Sequence, residues 1–305
     1  MSKIPSVGIV AVNYNSAEFI GKFIDSIIKV DYKNARLIII DAGSSDNSRE
    51  ELANRLPDAH IISCDENVGT ARGNNIGIEY CRQERLEYVL VLNNDTTHEP
   101  DFLSILMTSA DQHTMTVPRI LFSDNPSLIS THAGDFNWFL GLFRNTYHAR
   151  PDGPETQQRR ELQTASFCCI LAPVSVFDEI GPLDEQFFMY YEETDFLRKA
   201  LDKGYRLVYE SEAVIYHDES ASSGGGWMNP FKQYYASRNR LYLVRKHATS
   251  RFAYALFTLY FWGARFLSAF RFLIPSHRAL IRAQLLGMLH YYQGRMGRTL
   301  EVGDF

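Results

Sequence analysis

A chain of 305 residues, 45% apolar and 22% charged, can bury one large core, or one core with an appended segment, as soluble globular proteins do. Its net charge of −5 hides a division: from Trp227 onward 12 Lys and Arg stand against 2 Asp and Glu, so the first 226 residues hold the acidic excess. An acidic body with a basic tail suggests attraction of the tail to an anionic surface, a membrane before any other; nucleic acid is not an expected partner. Cys64, Cys81, Cys168 and Cys169 form no CxxC pair, and adjacent Cys168 and Cys169 suit neither a zinc site nor an ordinary disulfide, so buried thiols in a reducing compartment are expected. Met1 to Ser6 show no signal-peptide pattern, and cytoplasmic residence is the corresponding expectation.

The first hundred residues alternate strand and helix. Strands are expected at residues 7–12, 36–40, 60–64 and 88–92. Between them lie a helix capped by Ser16, with Phe19, Ile20, Phe23, Ile24, Ile27 and Ile28 on one face, and helices at 47–56 and 70–82. Single helices between strands imply a parallel sheet with right-handed crossovers. Residues 122–161, rich in Asn, Asp, Pro, Gly, His and aromatics, read as loops and short antiparallel strands. Order resumes at 164–171, with helices near 174–180 and 194–203 and strands at 206–209 and 213–216. Residues 222–226 form a glycine-rich break before the basic region, dividing the chain into a body at 1–226 (halves 1–118 and 119–226) and a helical extension at 227–305.

Polar residues gather at the strand ends: Asn13-Tyr14-Asn15, Asp41 to Asp46, Asp65 to Asn75, and Asn93-Asn94-Asp95. Turns favour these residue types anyway, yet all four groups fall on one sheet edge, where open α/β folds bind ligands. Asp95 ends a buried strand and has no Lys or Arg in the ten residues after it, which suits a hard divalent cation and, with it, a phosphate. The chain has neither a G-x-G-x-x-G nor a Walker loop, so a nucleotide would rest on the Asn15 and Asp41 side chains and the helix start at Gly69 to Gly73.

A second acidic centre, Glu192, Glu193 and Asp195, follows the aromatic run Phe187 to Tyr191. Acids at a helix start suit the macrodipole; a glutamate near apolar rings can also have its pKa raised into the range of a general base. His217, at a strand end, is a further metal-ligand candidate.

These segments resemble family 2 glycosyltransferases of the GT-A fold, in the rhamnosyltransferase-like branch that builds surface polysaccharide. The resemblance is carried by residues 7–15, 41–48, 67–75, 92–96 and 187–198, and extends over roughly 5–245. It implies an α/β architecture with a mixed, mostly parallel sheet flanked by helices. It also implies a nucleoside diphosphate sugar donor, with a uracil or thymine base, held by Asn13, Asn15, Asp41, Asn67, Gly69, Arg72, Asn74 and Asn94. Mg²⁺ or Mn²⁺ would sit on Asp95, the last acid of a DxD motif whose first acid is replaced by Asn93, with His217. One of Glu193, Glu192 and Asp195 would be the base, Glu193 standing where the family usually has aspartate. The expected reaction is inverting transfer of a sugar, rhamnose among the candidates, to a saccharide or lipid-linked saccharide; a non-catalytic binding module is the alternative. Acceptor choice is expected to lie in 122–161, and Arg238-Asn239-Arg240 resembles a family segment near the active site.

The uncharged run at 252–264, bounded by Arg251 and Arg265, is too short to span a bilayer, which takes about 20 residues. Arg251, Thr258 and Arg265 predict a polar stripe, with Arg271, Arg278 and Arg282 extending the basic side. An in-plane helix pair on the inner face of the cell membrane, or a homodimer contact, follows from that pattern.

Overall fold

The computed structural model describes residues 3–130, 133–144, 147–219, 229–269, 277–300 and 304; the glycine-rich break at 222–226 and Arg271 lie outside them. Strands β1 (Val7–Asn13), β2 (Ala35–Asp41), β3 (His60–Ser63) and β4 (Tyr88–Leu92) alternate with helices α1 (Ile20–Ile27), α2 (Ser48–Arg55) and α3 (Gly69–Gln83). All four strands pair in parallel, so their carboxyl ends line one edge. All five residues of β4 are buried, which is why its sequence is a continuous apolar run rather than an alternation.

The chain then adds β5 (Thr96–His98), α4 (Phe102–Ser109), β6 (Thr114–Phe122), the hairpin β7 (Asp135–Asn137) and β8 (Leu142–Arg144), β9 (Arg160–Glu161), β10 (Cys169–Pro173), α5 (Ser175–Ile180), α6 (Glu192–Asp202) and β11 (Arg206–His217). The main sheet runs β3-β2-β1-β4-β10-β6-β11-β5, with β9 on β11. Strand β10 is antiparallel to both β4 and β6, which makes the sheet mixed. Apolar clusters on its two faces hold Val10, Ile38, Val91 and Phe196 on one side, and Ile9, Phe23, Leu90 and Phe102 on the other.

Several local expectations need correction. Ser16 does not cap α1: its carbonyl closes a turn onto Phe19 and Ile20, and its hydroxyl turns back to Asn13. The helix therefore starts at Ile20, and Ile28, one residue past its end, is exposed rather than on the buried face. The order expected at 164–171 becomes regular structure only at β10, Cys169–Pro173. The two strands placed at 206–209 and 213–216 are the single strand β11, whose register against β6 shifts between Glu210 and Val214; a bulge mimics a break in the pattern. Helix α6 starts at Glu192, not Thr194.

Three helices follow: α7 (Pro230–His247), α8 (Arg251–Ala269) and α9 (Arg278–Tyr292). Pro at the first turn and an Asn229 side chain accepting from the Phe231 amide start α7. A Cβ at Gly287 would collide with the Tyr234 carbonyl, so glycine lets α9 lie directly against α7. On α8, Phe257 and Phe261 face inward, while Phe252, Leu259, Phe266 and Leu267 are exposed. The expected polar stripe is divided: Arg251 is exposed, whereas Thr258 and Arg265 are half-buried. Arg265 bonds Gln284 and lies over the Phe261 ring, and Thr258 bonds the Tyr254 carbonyl, because inward polar groups must find partners. Among the described residues, no helix is long and apolar enough to cross a membrane.

Candidate active site

The parallel register that sets Asn13 opposite Asp41 also joins the strand ends. The buried Asn13 amide donates to Asp41 Oδ1 (2.9 Å) and to the hydroxyls of Ser44 (3.1 Å) and Ser48 (3.0 Å). Asn94 donates to Asn13 Oδ1 (2.9 Å) and Ser16 Oγ (3.2 Å). Asn13, Asp41 and Asn94 therefore stitch three strand ends into one floor. Asn15 stands above it, exposed and in a left-handed conformation (φ 48°), with its side-chain Oδ1 accepting from the Ser45 amide (2.8 Å).

Asn67 Oδ1 accepts from the Gly69 amide (2.9 Å), and Gly69, at φ 73°, opens α3. A side chain there would strike Phe188, so glycine lets the segment before α6 lie against the α3 start. Arg72 is exposed in that first turn, whereas Asn74 is buried.

Asp95 and His217 are 122 positions apart in sequence, yet β5–β11 pairing, which sets His217 opposite Thr96, brings them together. His217 Nε2 lies 3.3 Å from Asp95 Oδ1, and the Asp218 amide donates to the Asp95 carbonyl (2.9 Å). Burial alone would lower the His217 pKa, but Cys168 and the Asp95 carboxylate push it well above its usual range. A carboxylate and an imidazole suit Mn²⁺ or Mg²⁺ when substrate phosphates and water complete the shell. No group of three or more His, Cys, Asp or Glu side chains that could hold a metal ion occurs among the described residues.

Residues before α6 take an unusual path. Phe188, Tyr190 and Tyr191 have φ of 66°, 65° and 74°, a conformation that costs non-glycine residues energy. Their carbonyls are held from both sides. Asn239 on α7 donates to those of Phe187 (2.9 Å), Met189 (2.7 Å) and Tyr190 (3.1 Å), and Arg238 to that of Phe187 (3.0 Å). From α3, the Ala71 amide and the Thr70 hydroxyl reach the Phe188 carbonyl at 3.3 and 3.2 Å. The strain is thus paid by a dense hydrogen-bond set that fixes where α6 begins.

All three candidate acids fall in the first turn of α6. Glu192 is buried and accepts from the Thr70 hydroxyl (2.9 Å), and burial raises its pKa. Glu193 is half-buried; burial and then the Glu192 charge push its pKa well up. Asp195 faces elsewhere, to His247 (2.7 Å), Lys246 (2.9 Å) and Lys199 (3.0 Å). Against the cost of its burial, the His247 hydrogen bond and the two lysine charges hold it down at about 2. A depressed folded pKa means the stability it contributes is present above the ordinary carboxylate pKa and lost as pH falls toward 2. Asp195→Asn should therefore cost about 2–4 kcal/mol at pH 7 and progressively less below pH 4, read by urea unfolding at both values.

Helix α7 joins the two halves of the site. Lys232 near its start is buried, which lowers its pKa against the opposing charges of Glu219 and Asp95, and Asn239 holds the Tyr190 carbonyl. Seven residues separate them along the helix, about 10 Å. The hairpin β7–β8 flanks the same region, with Phe143 stacked on Tyr191. Sequence reading missed Lys232, Thr70, Lys246 and His247. Lys232 carried no signal beyond its charge, and Arg238-Asn239-Arg240 was the one segment of α7 that drew notice.

A family model described as glycosyl transferase family 2 matches residues 7–181. The chain is 26% identical, over 97% of its length and 94% of the relative's, to the low-salt glycan biosynthesis hexosyltransferase Agl10 of Haloferax volcanii. It is 25% identical to the N-acetylglucosaminyl-diphospho-decaprenol L-rhamnosyltransferase of Mycobacterium tuberculosis, over 71% of this chain and 77% of that one. Its fold is similar, at a TM-score of 0.53 and 13% identity, to that of the mannosyltransferase PcManGT from Pyrobaculum calidifontis, solved with GDP-Man and Mn²⁺; the match covers 96% of this chain and 89% of that one.

Proposed function

The chain belongs to glycosyl transferase family 2 and has a GT-A fold, and from that premise we propose that it is an inverting transferase. It would move a sugar from a nucleoside diphosphate to a hydroxyl of a saccharide or lipid-linked saccharide in glycan assembly. Two observations support this reading: the Asp95–His217 pair at the ends of β4 and β11, and the Thr70–Glu192 bond that ties the first turn of α6 to the start of α3.

In this reading the acceptor oxygen attacks the anomeric carbon as the bond to the diphosphate oxygen breaks. The acceptor proton passes to Glu193, and the nucleoside diphosphate leaves with the bonding electrons. Glu193 suits the base because its carboxylate is raised in pKa and partly exposed, whereas Glu192 is committed to Thr70 and Asp195 to three cationic side chains. Asp95 and His217 would hold Mg²⁺ or Mn²⁺, which supplies positive charge for the departing diphosphate. Asn15, Asp41 and the α3 start, with Arg72, would hold the nucleotide, while Asn13 and Asn94 keep the floor in place. The relatives' names favour a hexose or rhamnose donor.

The test is product formation from UDP- and dTDP-sugars with saccharide-diphosphate-lipid acceptors, with Mn²⁺ and with chelator. Metal-dependent release of nucleoside diphosphate and glycosylated acceptor is expected. Donor binding with no turnover in any combination would instead leave a binding module.

The exposed face of α8 and α9 bears on the acceptor. Phe252, Leu259, Trp262, Phe266, Leu289 and Tyr292 form an apolar, aromatic surface beside the exposed Arg251, Arg278 and Arg282. Residues 227–300 contain no Asp or Glu, so two copies meeting symmetrically there would oppose like charges without compensation. An anionic bilayer surface at the inner face of the cell membrane fits better, with aromatics at headgroup level. The chain should co-sediment with phosphatidylglycerol vesicles at low salt and be released as salt rises, and Leu259→Asp with Phe266→Asp should abolish binding. A salt-stable dimer that ignores vesicles would assign the face to a second copy.

A further inference from the structure

Behind His217 lies a polar chain that the reaction does not use. Ser130, fully buried, donates its hydroxyl hydrogen to Glu219 Oε1 at 2.6 Å, and its oxygen lies 3.3 Å from His217 Nδ1. The other ring nitrogen, Nε2, faces Asp95 at 3.3 Å. The atoms thus run from carboxylate to hydroxyl to imidazole to carboxylate, across a segment 87 positions away from His217 in sequence.

We propose that Ser130 and Glu219 are positioning residues that fix the His217 ring tautomer, so that Nε2 presents its lone pair to a divalent cation shared with Asp95. A hydroxyl has one hydrogen. With that hydrogen committed to the Glu219 carboxylate, the Ser130 oxygen can only accept from Nδ1. When a cation displaces the proton that Nε2 shares with Asp95, a hydrogen kept on Nδ1 leaves Nε2 as the nitrogen with the lone pair. The ring's second nitrogen in metal sites is commonly held this way, by a carboxylate or another acceptor that orients the ligand.

Ser130 is well placed for the task because its backbone is anchored. Its amide donates to the Ile120 carbonyl (2.8 Å) beside β6, and its own carbonyl is bonded by His148 Nδ1. The hydroxyl therefore stays fixed relative to β11, which neighbours β6 and ends in His217. The Cys168 thiol also acts on the ring, favouring its charged form.

The inference rests on the metal reading of Asp95 and His217, and the experiment separates the two. Mn²⁺ binding in the presence of UDP is followed by loss of the free-ion electron paramagnetic resonance signal. Tautomer state is read by ¹⁵N chemical shifts of labelled histidine with Mg²⁺ and UDP. Ser130→Ala is expected to weaken Mn²⁺ about 10–100-fold, and Glu219→Ala, a partly exposed position, to weaken it in the same direction. With Mg²⁺ and UDP the wild-type His217 should show a protonated Nδ1 and a metal-bound Nε2, retained in Cys168→Ala. Should His217→Ala leave Mn²⁺ affinity unchanged, the metal reading itself fails. If His217→Ala abolishes binding while Ser130→Ala and Glu219→Ala bind like wild type, or if Cys168→Ala alone switches the tautomer, the metal reading stands and the proposed relay is overturned.

Discussion

Replacing Glu193 by Gln is expected to lower turnover about 10²–10⁴-fold while donor affinity stays within twofold, the loss associated with removing a general base. The amide keeps the shape and the helix start but can no longer take the acceptor proton. Single-turnover assays separate this from a binding defect. The pH profile carries a second signature. A base must be deprotonated to act, so a raised pKa shifts the acidic limb of kcat/KM upward, and rate climbs as pH rises through it. Burial and the Glu192 charge together raise Glu193, so Glu192→Gln should move that limb to lower pH while preserving most of the plateau rate. A limb that stays put in Glu192→Gln, or near-normal turnover in Glu193→Gln, would move the base to another group.

Asp95→Asn is expected to have an effect of comparable size by another route. A cation at the leaving group is worth several kcal/mol of transition-state stabilisation, so losing about 4 kcal/mol of it means roughly a 10³-fold fall in turnover. Mn²⁺ affinity should fall with it. The ion competes with a proton for His217. As the folded pKa of His217 is raised, Mn²⁺ affinity in the wild type should weaken as pH falls and strengthen as pH rises through that value. Calorimetric Mn²⁺ titrations in the presence of UDP at several pH values read both effects; unchanged affinity in Asp95→Asn would remove this residue from the cation.

Much of the first half was legible before any coordinates because its signals are local. Residues 88–92 are apolar throughout since both faces of β4 are covered; Asp41 is the last residue of β2, and Asp95 stands three residues past the end of β4. Parallel pairing then obliges such strand ends to share an edge, so the polar clustering could be read from periodicity alone. The clusters at Glu192 to Asp195 and at His217 were visible as composition, without any indication of their orientation.

The remainder depended on contacts between distant segments. Three carboxylates one turn apart look alike in the chain; they diverge because α7 brings Lys246 and His247 to Asp195 while α3 brings Thr70 to Glu192. Lys232 and Ser130 acquire meaning only from what folds against them, and Arg265 leaves the exposed side of α8, where Arg251 remains, for Gln284. Local pattern records what a residue does to its own strand or helix. Partners tens of residues away are selected by packing and hydrogen-bond satisfaction, which no window of sequence contains.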